Sequence, residues 1–342
     1  MGHYKMKTLS VIIPLYNSAQ WIEKCLYSVL NQDVPEEQME IVCVNDGSPD
    51  DSADIARKIG KKHTSIIVID QTNQGPSGAR NTGMRHATGK YLVFVDPDDF
   101  VEPNVFGLLV NKMESEQLDM LRFNYQVVDE QYQLVEKRPF EKSFDYSSKL
   151  MTGAEFLATR LDIACNIWRY MYRTEIIIKN DLWCFAYGDY DDTPWLPQVL
   201  LKVLRMNCCA VVAYDYLVRQ DSLVRVKTPD IQHRKIDGTF QLINFLCHFK
   251  NKLSRGEMDV PDKWRRGIID WYGGMLSHTI ISYCTILSTY FYAQRDECLS
   301  KLRGLHIFPL SVKRIPRKEQ ELVCIINLSP RLYIWLLHLK NS

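Results

Sequence analysis

The chain has 342 residues, of which 46% are hydrophobic and 24% are charged, a composition that indicates a folded protein and excludes extensive disorder. The formal net charge of +1 gives no general electrostatic basis for binding nucleic acid. The charge is divided unevenly, because residues 226–342 hold 18 Lys and Arg against 10 Asp and Glu, a net of +8, which leaves −7 for residues 1–225. The acidic part is suited to a metal site, and the basic, aromatic part to an anionic membrane surface.

The ten cysteines show no spacing typical of zinc ligands, so we expect free thiols in a reducing compartment. The first seven residues are polar and lack the apolar core of a signal peptide. We therefore expect a cytoplasmic protein, and contact of the C-terminal region with the inner face of the membrane stays open. The apolar residues 271–294 contain Gly, Ser, Thr, His and Tyr, which favours a buried helix over a membrane span. The tail 322–339 is broken at Ser329-Pro330 and predicts two short segments, the second lying on a surface.

Strand and helix patterns alternate from the beginning of the chain. Apolar runs predict strands at 9–14, 40–45, 65–70 and 91–96, separated by helices at 21–30, 52–62 and 78–87. Continuous apolar strands between helices predict a mostly parallel, Rossmann-like α/β sheet covered on both faces. Residues 127–148 indicate a long connection or a hairpin. Further helices are predicted at 153–161, 192–204, 240–249 and 264–292.

The predicted strands end in polar residues, where open α/β sheets place their ligands. The first strand runs into Pro14–Asn17, the second into Asn45–Asp51, the third ends at Asp70, and the fourth runs into Asp96-Pro97-Asp98-Asp99. Carboxylates brought together at one sheet edge repel each other unless a cation or a hydrogen-bonding ligand lies among them. The four strand ends therefore predict a ligand site.

Asp96-Pro97-Asp98-Asp99 supplies hard oxygen ligands of the kind that Mg²⁺ or Mn²⁺ prefers. The alternative is a capping turn before the next helix. Asp46 is a candidate to accept a hydrogen bond from a base or a ribose, because Ser48, Asp50 or Asp51 can cap the following helix instead. The loop Gly75–Gly83 is Gly-rich but is neither a dinucleotide-binding nor a Walker A loop. Arg80 in that loop is either structural or faces the sugar or the phosphates.

Four ordered segments resemble the family 2 glycosyltransferases, over residues 8–105 strongly and 150–225 more weakly. The segments are Ser10–Asn17 (SVIIPLYN), Val44–Asp50 (VNDGSPD), Asn73–Asn81 (NQGPSGARN) and Phe94–Asp99 (FVDPDD). The resemblance implies a GT-A fold, a nucleoside-diphosphate sugar donor and inversion at the anomeric carbon. It also implies a domain at 1–225, with a donor half at 1–105 and an acceptor and catalytic-base half at 106–225. A helical region then follows at 226–342.

Carried over by position, Pro14, Tyr16 and Asp46 resemble the base-binding residues of the family. Asp96 resembles the residue that meets the ribose or the metal, and Asp98 the metal ligand of the DxD motif. We expect three further residues of the same motifs to line the donor site: Asn17, Gly75 and Arg80. The implied cofactor is Mn²⁺ or Mg²⁺.

Gly188–Trp195 (GDYDDTPW) resembles the family segment that carries the catalytic base. Aligning the aromatic residue of that segment with Trp195 assigns the base to Asp192 and puts Asp191 in the Glu position, although the run of Asp residues leaves the register open. The base would take a proton from the acceptor hydroxyl as its oxygen attacks the sugar. The alternative is that these residues cap the helix predicted at 192–204.

Two further segments resemble the acceptor side of related enzymes. Trp168 lies in Asn166–Arg173, although such aromatic residues are more often part of a core. Arg219 or Arg225 could reach the diphosphate, and a surface role is the alternative. The chain lacks the Gln-x-x-Arg-Trp sequence of processive synthases, so we expect one sugar to be transferred per encounter.

The sequence therefore predicts an inverting, metal-assisted glycosyltransferase. The expected donor is a UDP-sugar, and the expected acceptor is a glycan or a lipid-linked saccharide. The main alternative is a non-catalytic nucleotide-sugar-binding or assembly subunit of a polysaccharide system, which would keep the fold but lose the carboxylates. A nucleotidyltransferase is less consistent with Pro14–Ser18, where such an enzyme needs a basic, Gly-rich triphosphate loop.

Overall fold

The computed structural model of the chain describes residues 7–136, 149–161, 165–185, 190–219 and 228–341. The chain divides into two compact units. The first comprises residues 1–153, 166–185 and 198–225, and the second comprises 154–165, 186–197 and 226–342. Two short segments that precede residue 225 thus group with the C-terminal helices, which the composition of the sequence did not indicate.

The first unit is built on a sheet of nine strands within the described residues, ordered β3-β2-β1-β4-β8-β6-β9-β5, with β7 paired to β6. The strands are β1 (Leu9–Leu15), β2 (Met39–Asn45), β3 (Ile66–Asp70), β4 (Tyr91–Phe94), β5 (Phe100–Val101), β6 (Met120–Val128), β7 (Leu134–Glu136), β8 (Tyr170–Arg173) and β9 (Met206–Leu217). Strands β1 to β4 are parallel, whereas β8 is antiparallel to both β4 and β6, and β9 is parallel to β6.

Helices connect the strands of the first unit and make up most of the second. They are α1 (Ile22–Leu30), α2 (Ser52–Gly60), α3 (Gly75–His86), α4 (Phe106–Ser115), α5 (Gly153–Thr159), α6 (Thr174–Lys179), α7 (Asp192–Leu200), α8 (Pro229–Ser254), α9 (Asp262–Tyr290), α10 (Arg295–Gly304), α11 (Arg317–Leu328) and α12 (Pro330–Asn341). The alternation predicted for residues 9–96 is confirmed, and the predicted connection after residue 127 begins as the β6–β7 hairpin. Residues 137–148 lie outside the described residues.

The core of the sheet explains why β1 and α3 can approach closely. All seven residues of β1 are buried, because helices cover a parallel sheet on both faces. A Cβ atom added at Gly83 of α3 would lie 2.4 Å from Cγ2 of Ile12. Glycine at this position therefore lets the helix lie directly against the strand, which positions the beginning of α3 beside the end of β1.

A buried carboxylate joins the opposite ends of β1, β2 and β4. Glu40 is 3% exposed, and its oxygens accept hydrogen bonds from the hydroxyl of Ser10 at 2.5 Å and from both the amide and the hydroxyl of Thr88 at 2.5 and 2.9 Å. Ser10 in turn accepts a bond from the amide of Gly89 at 2.8 Å. These bonds compensate for the burial of the charge and fix the register of the three strands far from their polar ends.

The second unit is a bundle in which α8, α11 and α12 pack against α9. The predicted apolar stretch 271–294 lies mostly in α9, and most of its side chains are buried. The hydroxyl of Ser277 in α9 donates to the carbonyl oxygen of Ser311 at 2.7 Å, and Arg314 donates to the carbonyl oxygens of Thr159 and Leu161 at 3.0 and 2.7 Å. These bonds hold the segment after α10 against α9 and the end of α5. Within the described ranges, no helix has both the length and the apolar content needed to cross a membrane.

Candidate active site

A cavity of about 210 Å³ opens at the carboxyl ends of the strands of the first unit. It lies where β1 and β2 end, where α3 begins and where the loop follows β4. Its lining includes aromatic rings, carboxylates and guanidinium groups. The lining residues are Pro14, Leu15, Tyr16, Asn17, Ser18, Trp21, Asp46, Pro76, Ala79, Arg80, Asp96, Pro97, Asp98 and Arg219. The structure thus brings together residues from all four motif segments and from three of the four polar strand ends. The prediction that the third strand end, Asp70, shares this site is wrong, because its side chain pairs with Arg57 at the surface.

Tyr16 and Asn17 form the wall that follows β1. Tyr16 is 51% exposed, which leaves its ring accessible to a ligand. Asn17 has a positive φ of 51°, and its backbone N–H donates a hydrogen bond to the hydroxyl of Ser48 at 2.8 Å. The turn after β1 is therefore held against the turn after β2, and the polar ends of the two strands face the same space.

Asp46 follows β2 and is 3% exposed. Its Oδ1 accepts hydrogen bonds from the side-chain amide of Gln71 at 2.7 Å and from the backbone amide of Gln74 at 2.8 Å. Gly47, with φ of +66°, turns the chain directly after it. The two bonds to one oxygen fix the orientation of the carboxylate at the cavity wall.

Asp50, and not Asp46, bonds to the beginning of α2. It accepts hydrogen bonds from the amide of Ser52 at 3.1 Å, from the hydroxyls of Ser52 and Ser48, and from the amide of Ala19 at 2.7 Å. Burial acts to raise its pKa, but these bonds outweigh burial and lower the pKa to about 2. A residue other than Asp46 thus bonds to the beginning of α2, as the sequence allowed, and the role of Asp46 towards a base or a ribose stays a prediction.

Asp96 pairs with Arg80 across the cavity. Nη2 of Arg80 lies 2.7 Å from Oδ1 of Asp96, and the two side chains are 8% and 23% exposed. Arg80 projects from α3, and its residue as a whole is 6% exposed. The pair places one cation and one carboxylate on the cavity surface, where a diphosphate or a metal ion could contact either of them.

Asp98 pairs with an arginine that lies 121 residues away along the chain. Nη2 of Arg219 lies 2.5 Å from Oδ2 of Asp98, and the guanidinium group of Arg219 lies 5.7 Å from the centre of the Trp21 ring. Arg219 comes two residues after β9, so this strand positions the guanidinium group at the cavity. Arg225, the alternative expected from the sequence, lies outside the described residues.

Asp99 differs from the other two carboxylates of its motif, because it faces the interior. It is 1% exposed, and it accepts hydrogen bonds from the hydroxyl of Tyr214 and from the amide of Leu217, both at 2.8 Å. Burial, together with the nearby charges of Asp98 and Asp96, raises its pKa well above the usual value. Asp99 therefore holds the loop after β4 against β9, and of the carboxylates in this motif only Asp96 and Asp98 line the cavity.

The carboxylate oxygens in the cavity fit a divalent cation that also has waters and substrate phosphates as ligands. Asp96 and Asp98 supply carboxylate oxygens, and Mg²⁺ needs only one or two of these when phosphates complete its shell. In the part of the chain that the structure describes, no group of three or more His, Cys, Asp or Glu side chains is arranged to hold a metal ion. The described residues of the cavity therefore fit a cation that binds together with a phosphate group. They do not form a metal site made of protein side chains alone.

Other predicted residues lie outside the cavity lining. Gly75 has φ of +77° and begins α3, where a left-handed conformation favours glycine. Asp70 at the end of β3 is bound to Arg57 and Asn45 at the surface, with its side chain 60% exposed. Trp168 is 5% exposed; its ring stacks on Tyr214 at 4.3 Å. Its role on the acceptor side stays a prediction.

Asp191 and Asp192 belong to the second unit and are not among the residues that line the cavity. Asp192 is the first residue of α7 and Asp191 directly precedes that helix. Both are partly exposed. The role of either residue as the catalytic base stays a prediction.

Trp21 is a cavity residue that the sequence analysis missed. It lies directly before α1, it is 8% exposed, and it belongs to no segment with a recognisable polar pattern. Five further cavity residues that were not predicted lie within or beside the motifs, and that position could have identified them. They are Leu15, Ser18, Pro76, Ala79 and Pro97. Only the packing of α1 against the cavity could identify Trp21.

Comparison with known proteins explains this arrangement. A sequence model of the family described as "Glycosyl transferase family 2" matches residues 10–178. A Bacillus subtilis (strain 168) protein described as the uncharacterized glycosyltransferase EpsJ is 35% identical over 248 residues, which cover 70% of each chain. The chain therefore belongs to glycosyltransferase family 2. This result confirms the resemblance and the enzyme class that the four motifs predicted.

Solved structures confirm the GT-A fold. The structure of S. aureus TarS 1-349 in complex with UDP-GlcNAc superposes with a TM-score of 0.56 at 18% identity, covering 87% of this chain and 90% of that chain. The mannosyltransferase PcManGT from Pyrobaculum calidifontis, in complex with GDP-Man and Mn²⁺, gives a TM-score of 0.53 at 14% identity, covering 99% and 88%. The matched stretch spans 63%, 70% and 36% of three curated relatives.

Proposed function

We propose that the protein transfers one sugar per encounter from a nucleoside-diphosphate sugar to a hydroxyl group of a glycan or a lipid-linked saccharide, with inversion at the anomeric carbon. Uracil is the expected base. The observation that carries the proposal is the cavity in which Tyr16, Asp46, Arg80 and Asp98, each from a different family motif, meet. The nucleotide sugars bound to TarS and PcManGT support the same class of donor.

The cavity residues match the parts of such a donor. The half-exposed ring of Tyr16 offers a surface on which a base can stack. The carboxylate of Asp46, held by Gln71 and Gln74, is oriented to accept a hydrogen bond from the base or the ribose. The guanidinium groups of Arg80 and Arg219 supply the cationic, planar donors that bind a diphosphate.

Asp96 and Asp98 would hold a divalent cation, Mn²⁺ or Mg²⁺, together with the diphosphate. When bound there, the cation supplies positive charge that stabilises the departing nucleoside diphosphate. Both carboxylates are paired with arginines, and those arginines can pair with the phosphates when the carboxylates bind a cation. The ion pairs would thus keep the cavity charge balanced before the donor enters.

Asp192 would act as the general base. Its carboxylate accepts the proton of the acceptor hydroxyl while the hydroxyl oxygen forms a bond to the anomeric carbon and the bond to the diphosphate breaks. Attack from the face opposite the leaving group inverts the configuration. Asp191 is the alternative base, since the two carboxylates are adjacent at the beginning of α7.

The first test is a thermal-shift panel of nucleoside diphosphates and nucleotide sugars, each with and without Mn²⁺. A ligand that binds only the folded state raises the unfolding midpoint according to its concentration and affinity. We expect a shift with uridine nucleotides that depends on Mn²⁺, and we expect the Asp98→Asn variant to lose the metal dependence. Asp54→Asn is the matched control, because its exposed side chain lies outside the cavity. No shift with any nucleotide at saturating metal would favour a non-catalytic assembly subunit, or a donor site that forms only with the acceptor bound.

The choice of base is tested separately, by turnover of the donor that the panel selects. Asp192→Asn should lower kcat by a factor of about 100 to 10,000, the usual range for general-base catalysis, without weakening donor binding. Asp191→Asn should leave most of the turnover. If the two effects were reversed, Asp191 would be the base; full turnover in both variants would contradict the proposed mechanism.

A further inference from the structure

The exposed face of α12 carries a continuous apolar stripe. Leu332, Trp335, Leu336 and Leu339 are 44%, 47%, 44% and 55% exposed. Their spacing of three, one and three residues places them along one side of the helix. Leu328, the last residue of α11, is 84% exposed and lies four residues before Leu332 along the chain.

The opposite face of the same helix is anchored in the second unit. Tyr333 and Ile334 are 4% and 0% exposed, and α12 packs against α9. His338 stacks on Tyr292 with ring centres 3.8 Å apart, and its Nδ1 lies 2.9 Å from the carbonyl oxygen of Ser288. One face of α12 is thus fixed to the protein, and the stripe is held outward by that attachment.

Basic residues predominate near the stripe, although Arg331 pairs with Asp296 at 2.9 Å. Helix α12 contains Arg331 near its beginning and Lys340 near its end, and no Asp or Glu. Residues 313–342 hold six Lys and Arg against two Glu. An amphipathic helix with Leu and Trp on one face and basic residues beside them has the composition of a helix that lies in the interface of an anionic bilayer. The amphipathic ring of Trp335 is suited to the headgroup level.

We propose that the stripe formed by Leu328, Leu332, Trp335, Leu336 and Leu339 binds the surface of an anionic lipid bilayer, with α12 parallel to the membrane plane. Self-association through the same stripe is disfavoured, since it would bring together two regions that each carry the net charge of +8 of residues 226–342. An anionic bilayer instead compensates this charge.

Flotation of the full chain with lipid vesicles tests the proposal. We expect binding to vesicles of phosphatidylcholine mixed with phosphatidylglycerol, little binding to phosphatidylcholine alone, and weaker binding at high salt. The Trp335→Glu variant should lower the partition coefficient about tenfold, because it replaces an inserted ring by a carboxylate. Lys340→Gln should lower it about fivefold, through the loss of one charge near the surface.

Leu204→Glu is the matched control, because Leu204 is an exposed leucine, 72% accessible, in the first unit. This variant should bind vesicles as the unchanged chain does, and thermal unfolding of each variant verifies that it is folded. Absence of vesicle binding, or equal binding by folded Trp335→Glu, would overturn the proposal. A change from dimer to monomer in Trp335→Glu without vesicle binding would overturn it in favour of a second copy. No donor or acceptor is present, so a failure here leaves the proposed transfer activity untouched.

Discussion

Two groups of acidic side chains in the first unit differ in their partners. At the cavity, Asp96 and Asp98 are paired with Arg80 and Arg219. At β9, the hydrogen bonds of Asp99 come from a tyrosine hydroxyl and a backbone amide of the strand, and Asp215 of the strand accepts one from the side-chain amide of Gln126 at 2.7 Å.

This difference distinguishes carboxylates whose ion-pair partner can be replaced by a bound ligand from carboxylates that stabilise the fold. An ion pair at a cavity surface can open when a cation or a phosphate replaces one of its members. A buried carboxyl group is destabilised in its charged form, so its pKa rises. Burial, together with the neighbouring carboxylate of Glu102, raises the pKa of Asp215 to about 7. Changes in the two groups should therefore affect different measurements.

The largest effect is expected at the cavity. Asp98→Asn removes a charged oxygen ligand and should lower kcat for sugar transfer by a factor of about 1,000, in the range found when one preorganised electrostatic contact is lost. Its unfolding midpoint should change little, since the side chain is partly exposed. The measurement is steady-state transfer at saturating Mn²⁺, with Asp54→Asn as control. A variant with full activity would contradict the role of Asp98 and remove the distinction between the two groups.

Asp99→Ala should have the largest effect on stability. It leaves the hydroxyl of Tyr214 and the amide of Leu217 buried without their shared acceptor, which should lower the free energy of unfolding by about 3 kcal/mol. Asp99→Asn retains a carbonyl oxygen and should lose less. Urea unfolding of both variants measures the effect, and an Asp99→Ala variant as stable as the unchanged chain would show that the bonds to β9 contribute nothing.

The sequence was sufficient to predict the first half of this site. Strands β1, β2 and β4 are continuous apolar runs followed directly by the polar residues that line the cavity, so strand and site residues are adjacent along the chain. Asp46 and Asp98 could be selected for that reason. Their convergence follows from the parallel arrangement of the strands, which place their carboxyl ends at one edge.

The second half of the site could not be predicted in the same way. Asp98 meets Arg219, and Asp99 meets Tyr214, across more than 100 residues, so these contacts depend on the pairing of β9 with β6 and β5. The run Met206–Leu217 alternates weakly, and no strand was predicted there. The sequence therefore offered Arg219 as a candidate but contained no local signal that would place it beside Asp98.

A smaller effect on stability is expected at Asp215, and it should depend on pH. The pKa of about 7 in the folded chain exceeds the usual value near 4 in an unfolded chain. The folded state thus binds more protons between about pH 4 and pH 7, and stability contributed by the neutral carboxyl is lost as the pH rises through that window. Asp215→Asn should therefore be more stable than the unchanged chain above pH 7.

Below about pH 4 the two chains should be nearly equal in stability, because both side chains are then neutral. Urea unfolding at a series of pH values provides the comparison, and the difference between the two chains removes the contributions of other titrating groups. Parallel curves for the two chains would show that the pKa of Asp215 is the same in the folded and the unfolded chain. Asp215 would then belong with the charged carboxylates of the cavity.

The smallest effect is expected at Asp70, the strand-end carboxylate that belongs to neither group. Its side chain is 60% exposed and pairs with the 41% exposed side chain of Arg57, and solvent screens such surface pairs. Asp70→Asn should change the free energy of unfolding by less than about 0.5 kcal/mol. It should leave both the Mn²⁺-dependent thermal shift and turnover intact, because Asp70 does not line the cavity. A loss of donor binding in this variant would mean that the carboxylate of β3 also serves the donor, and that position at a strand end, rather than a place in the cavity wall, determines which acidic residues act on the ligand.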